Sequence, residues 1–161
     1  MEKKGWVLID PGSAAGLDGT ISKAAESGNP WVGYYWNPTS IVGKYDLQAV
    51  PWGIDFAGRD NWDNCITKAE QDCADPKPTA WTKSEVNTII TSKFAKQGGK
   101  DIVNYIGART YPGSVMNGML VWMADNQAGG SDAAMEFLSK HEDVWSKWVS
   151  SGVAKKVKAG L

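Results

Sequence analysis

The stretch Trp6-Val7-Leu8-Ile9-Asp10-Pro11-Gly12-Ser13-Ala14-Ala15 decides how the fold is read. Four apolar residues of strand length stop at an Asp-Pro-Gly turn. Ser13 then follows as the residue type that caps a helix N-terminus. Leu17, Ile21, Ala24 and Ala25 fall on one helical face as far as about Ser27, with Gly28 as the stop. Asn29-Pro30 leads into Trp31-Val32-Gly33-Tyr34-Tyr35-Trp36, a second apolar run of strand length and rich in aromatics. Strand, helix, strand in that order is the unit of a parallel sheet, so the sequence predicts an α/β fold.

Outward from this unit, Asn37-Pro38 breaks the second strand, and a short helical turn is expected before Tyr45-Asp46-Leu47-Gln48-Ala49-Val50. From Pro51 to Trp81 the chain is a long polar connection rich in Asp, Asn, Gly and Pro. It holds the two cysteines, Cys65 and Cys73, without the spacing or company of ligands that a metal site needs. A disulfide closing a short loop between Cys65 and Cys73 is the better reading, with two unpaired thiols in a cytosolic protein as the alternative. Residues 84–91 look like a further strand. Beyond them the periodicity is helical: over 94–106, over 115–125, from a cap at Ser131 through Trp148, and from about Ser151 to the end. Lys155, Lys156 and Lys158 suit the C-terminal end of that last helix dipole. The expected division is 1–80, with the strand–helix–strand unit and the cysteine loop, and 81–161, with one strand and the helices.

Composition excludes several function classes. Seventeen basic and eighteen acidic residues in 161 leave a net charge of −1, so there is no electrostatic footprint for nucleic acid. No apolar run has the length of a membrane span, and the start, Met1 to Trp6, does not read as a signal peptide. A single histidine, His141, argues against a histidine-ligated metal or a histidine-based triad and is read as structural. Asp10, Asp18 and Asp46 define no acid/base pair by spacing, and no Gly-x-Ser-x-Gly elbow is present. No catalytic residue, metal or cofactor is therefore expected, and the chain does not read as an enzyme. Nine tryptophans stand out, because indoles fill cores but also wall sugar and quaternary-ammonium sites.

Two places can hold a ligand. The turn and helix start at Asp10 to Ala15 offer free backbone N–H groups to a carboxylate or phosphate, without the ending of a phosphate-binding P-loop. The second is Gly33-Tyr34-Tyr35-Trp36-Asn37-Pro38-Thr39, at the carboxyl end of the second strand, where ligands of open α/β sheets bind. Strand alternation would put Tyr34 and Trp36 on one face. The Trp36 indole could hold a trimethylammonium group by cation–π attraction worth about 2 kcal/mol when desolvated; burial in the core is the competing role.

The blocks Pro11 to Ala15, Gly33 to Thr39 and Gly43-Lys44-Tyr45-Asp46-Leu47, with the closing Phe137 to Val149, resemble the glycine betaine/choline family of ABC-transporter substrate-binding proteins. The resemblance implies a type II periplasmic-binding fold, here partial: a second-lobe strand–helix–strand segment followed by the helical C-terminal part of the first lobe. It implies that Trp36 matches a tryptophan of the family's aromatic cage. Tyr35 and Thr39 flank that position, and Ser13 and Ala14 match a cleft-facing loop and helix start. Thr39 stands where some betaine-binding relatives carry a histidine that contacts the ligand carboxylate. The implied function is extracytoplasmic, periplasmic-type binding of a small quaternary amine such as glycine betaine or choline for uptake by an ABC permease. The two cysteines fit that compartment. The resemblance also implies that the chain corresponds to the C-terminal portion of a usual member, so a homo-oligomer or domain-swapped assembly is expected to cover its exposed edges. A non-binding oligomeric or structural fragment of the same fold is the alternative.

Overall fold

The computed structural model describes residues 5–82 and 84–161. In chain order its helices are α1 (Ala14–Glu26), α2 (Ser40–Tyr45), α3 (Arg59–Asn61), α4 (Ser92–Gln97), α5 (Lys100–Ala108), α6 (Gly113–Asn126), α7 (Gly130–Lys140), α8 (Glu142–Trp145) and α9 (Ser151–Ala159). A single π turn, Trp62–Ile66, continues α3, and short 3₁₀ turns cover Glu70–Asp72 and Ser146–Trp148.

Short hydroxylated side chains start several of these helices by accepting a backbone N–H that has no partner inside the helix. Ser13 Oγ accepts from Gly16 at 3.0 Å, Thr39 Oγ1 from Val42 at 3.1 Å and Thr91 Oγ1 from Phe94 at 3.1 Å. Gly28, at φ +67°, follows the end of α1 as its composition suggests. The expected helix over 94–106 is two helices, because Gly99 adopts φ +84° and interrupts the ladder between α4 and α5. The helix expected to be capped by Ser131 is capped two residues earlier, by Gly129, and begins at Gly130; there Asp132 Oδ2 accepts the Gly129 N–H at 2.9 Å. It also ends earlier, at Lys140. The chain turns at His141, and the Trp145 indole N–H donates back to the Leu138 carbonyl at 2.8 Å.

The α/β expectation is overturned. Among the described residues there is no β-strand: 6–9, 31–36 and 84–91 make no backbone ladder. The apolar composition of these segments suggests burial within a sheet. Instead Val7, Leu8 and Ile9 are 84%, 77% and 78% exposed, and Val86 and Ile89 are nearly fully so. A strand exists only through a partner that takes its N–H and C=O groups, and no described segment lies alongside to do this. The strand–helix–strand lobe inferred from the resemblance is therefore not what the described chain forms; its regular structure is helical.

The chain groups into two units, residues up to Leu47 together with Ile90–Leu161, and Gln48–Ile89. In the first unit Val144, Trp145 and Trp148 form a buried centre, with Val115, Phe137, Leu138 and Val157 against it. The Trp148 ring stacks on Phe137 (centroids 5.6 Å, 17°) and meets Tyr111 edge-on at 5.0 Å. The same unit packs α2 on α6. Gly43 makes this approach possible, since a Cβ there would lie 2.9 Å from Val121 Cγ2 and 3.0 Å from the Asn117 carbonyl oxygen. In the second unit Cys65 and Cys73 form a disulfide with Cα atoms 4.8 Å apart. Asn61 clamps Lys77 there, its Nδ2 donating to the Lys77 carbonyl and its Oδ1 accepting the Lys77 N–H. Trp62 lies edge-on to Trp81 at 5.2 Å.

Gly43→Val is expected to destabilise the protein by ~1–3 kcal/mol, the usual cost of forcing extra methyl groups into a packed contact. A thermal melt followed by circular dichroism measures it; an unchanged midpoint would show that α2 and α6 separate without cost.

Candidate functional site

The aromatic run after α1 is held from the helix side by two hydrogen bonds. The Tyr35 hydroxyl donates to Asp18 Oδ1 at 2.6 Å, and the Trp31 indole N–H donates to Thr20 Oγ1 at 3.1 Å. Asp18 and Thr20 thus fix the run by its first and fifth residues. Tyr35 is half-buried, whereas Trp36 remains 45% exposed.

Trp36 lies flat on Tyr35, with ring centroids 4.5 Å apart and planes 18° from parallel. The alternation expected of a strand, with Tyr34 and Trp36 on one face, gives way to stacking of consecutive rings, because no ladder holds this segment in a pleat. Tyr34 is farther, at 6.4 Å and tilted by 38°. The Tyr35–Trp36 stack therefore combines a ring tethered at its hydroxyl with an indole still open to solvent.

Thr39 has two roles three residues on. Its hydroxyl caps α2, and its N–H donates to Asn117 Oδ1 of α6 at 2.9 Å. Ser13 has its hydroxyl oxygen turned to the first turn of its own helix, and Ala14 is the first residue of that helix. Of the five residues singled out in the sequence, the structure brings Tyr35 and Trp36 into contact and sets Thr39 at the next helix start. Ser13 and Ala14 sit at the beginning of α1, which reaches the stack through Asp18.

Burial, followed by the hydrogen bond to Asp18 and that residue's charge, raises the Tyr35 pKa above the ordinary value of 10.0; a hydrogen bond with Thr39 opposes the shift. The phenol is thus kept protonated and donating to the carboxylate.

Two of the open grooves among the described residues of this unit bear on a site. The larger, about 830 Å³, runs along α5, α8 and α9 and is walled by Tyr105, Leu138, Trp145, Trp148, Val153 and Val157. Trp145 and Trp148 are only 3% and 8% exposed, so their faces are already spent on the core, and a cation would find little open indole there. The smaller, about 510 Å³, lies between α2 and α6 and is bordered by Asn37, Asp46, Ser114 and Asn117. Val42, Leu47 and Val121 give it apolar wall as well, and its opening at the residue following the exposed Trp36 makes it the better candidate. Among the described residues no three His, Cys, Asp or Glu side chains gather as a metal site.

The sequence did not identify Asp18 as the partner of Tyr35 or Asn117 as the anchor of Thr39. Asn117 left one trace, a single amide in the otherwise small or apolar run Val115 to Leu120.

A family model described as the substrate binding domain of ABC-type glycine betaine transport system matches residues 1–140. No curated protein and no solved structure matches the chain.

The raised Tyr35 pKa gives a signed expectation. A phenol that holds its proton more tightly when folded adds stability that is fully present below the unfolded pKa near 10 and lost as pH rises through the folded one. Wild type is expected to lose stability more steeply above about pH 10 than Tyr35→Phe. Denaturant melts across that range measure this, and parallel curves would place the hydroxyl in free exchange with water.

Proposed function

The chain belongs to the family of substrate-binding domains of ABC-type glycine betaine transport systems, and on that premise we propose that Trp36 is the cation-binding wall of its ligand site. Membership carries binding of glycine betaine-like compounds and an ABC permease as the partner. The finer reading is ours: glycine betaine, choline or a similar quaternary amine rests its methyl groups on the Trp36 indole. Tyr35 backs that ring, and Thr39, Ser13 and Ala14 contribute polar or backbone groups around it. The observation that carries this reading is the 4.5 Å stack of an exposed indole on a ring tethered by its hydroxyl. Such a stack presents an ordered π face, and an ammonium group over an indole gains about 2 kcal/mol once desolvated.

Extracytoplasmic location belongs to the same proposal, and the Cys65–Cys73 disulfide is compatible with it. So does self-association. Val7, Leu8, Ile9 and Val32 stand exposed in segments without a ladder, and a second copy offers the apolar cover that such surfaces call for.

Trp36→Ala is expected to weaken binding at least about tenfold, the loss of roughly 1.4 kcal/mol or more from one cation–π wall. A tryptophan-fluorescence titration with glycine betaine, choline, carnitine and a sugar control measures it. Saturation by an amine that survives the substitution would move the site elsewhere; a flat response by wild type to every amine would make the chain a non-binding member of its family. For self-association, light scattering on dilution is expected to show a dimer or larger species. A strictly monomeric mass with a cooperative melt would refute it.

A further inference from the structure

The charge in hydrogen-bond contact with the Tyr35–Trp36 stack is negative. Asp18 presents its carboxylate to the Tyr35 hydroxyl at 2.6 Å, and Tyr35 lies face to face with Trp36 at 4.5 Å. Among Asp18, Tyr35, Trp36 and Thr39, Asp18 is the one ionisable carboxylate, and no member is cationic. Thr39 offers no counter-charge to a ligand carboxylate, and its hydroxyl oxygen is already taken by the Val42 N–H. The cation carried by α2, Lys44, lies over the Tyr45 ring at 5.2 Å, and that tyrosine's hydroxyl donates to Glu26. A second carboxylate, Asp46, borders the groove beside Asn37.

We propose that Asp18 is a specificity-determining residue that makes the Trp36 site prefer a quaternary amine of net positive charge over a zwitterion. This rests on the reading of Trp36 as the cation-binding wall. A hydroxyl that donates to a carboxylate leaves its ring richer in electrons, which strengthens the hold on any quaternary ammonium alike; the charge of the carboxylate is what separates the ligands. The fixed, half-buried carboxylate attracts the ammonium but repels a ligand carboxylate, and partial burial limits the screening of both. A net cation feels only the attraction. A zwitterion such as glycine betaine feels both, its own carboxylate being repelled by Asp18 with no arginine, lysine or histidine among Asp18, Tyr35, Trp36 and Thr39 to offset it.

The test is a calorimetric titration of the whole chain with three probes of equal headgroup: choline, glycine betaine and glycine betaine methyl ester, in which the ligand carboxylate is neutralised. Wild type is expected to bind choline and the ester at least about tenfold more tightly than glycine betaine, a difference of ~1.4 kcal/mol. Asp18→Asn keeps an oxygen acceptor for Tyr35 while removing the charge, and should bring the three affinities within about threefold of one another, with the melting temperature little changed. The ester comparison needs no substitution, so it decides even where Asp18→Asn fails to fold. Glycine betaine binding wild type as tightly as the ester, or a preference that survives Asp18→Asn, would overturn the role of Asp18 while leaving the Trp36 site standing. Failure of all three to bind wild type would remove the site reading, and this inference with it.

Discussion

The hydrogen bond from the Thr39 N–H to Asn117 Oδ1 joins positions 78 residues apart in the chain, and the geometry of the candidate site depends on it. It fixes the start of α2 against α6 at the point where the aromatic run ends. Gly43, one turn further on, then lets the two helices approach to backbone distance. The buried side chains of this unit are few, with Ile21, Met119, Val144, Trp145 and Trp148 among them, so apolar burial leaves much of the surface unspecified. Under that condition a polar bond of defined direction, which tolerates little change in register, has more influence on where Trp36 ends up than a bond inside a large core would.

The tryptophans show how differently one residue type is used. Trp145 and Trp148 are core residues, and Trp145 also closes the turn after α7 through its indole N–H. Trp31 is tied by its N–H to Thr20, while its ring lies so close over Gly33 that a Cβ there would meet it at 2.7 Å. Trp62 and Trp81 meet edge-on within the disulfide-bearing unit. Trp36 combines a packed face with an open one. Composition could flag the excess of indoles, but their roles follow from exposure and from what each N–H reaches, which are properties of the folded chain.

The helical part of the fold was legible because its signals are local. Ser13 ahead of an apolar stripe and Gly28 behind it both sit within a few residues of the boundary they mark. The strands at 6–9, 31–36 and 84–91 were misread because an apolar run announces only that it is apolar. Whether a partner lies beside it is a nonlocal fact. The same limit hid Asp18 and Asn117. Asp18 is 17 residues from Tyr35 and Asn117 is 78 from Thr39, and neither spacing carries a pattern. The aromatic segment itself could be found from its composition and its resemblance to the family, but the stacking of neighbouring rings required the absence of a ladder.

Thr39 belongs at once to the helix that begins beside the aromatic stack and to the seam between α2 and α6. Its oxygen satisfies the first turn of α2, while its N–H donates to Asn117 of α6. A cap lost from a helix start costs about 1 kcal/mol. A substitution at Thr39 that alters what can bind beside the neighbouring indole would thus weaken the helix in the same step, so new chemistry at this position is open only to a chain whose α2 is secured by other means.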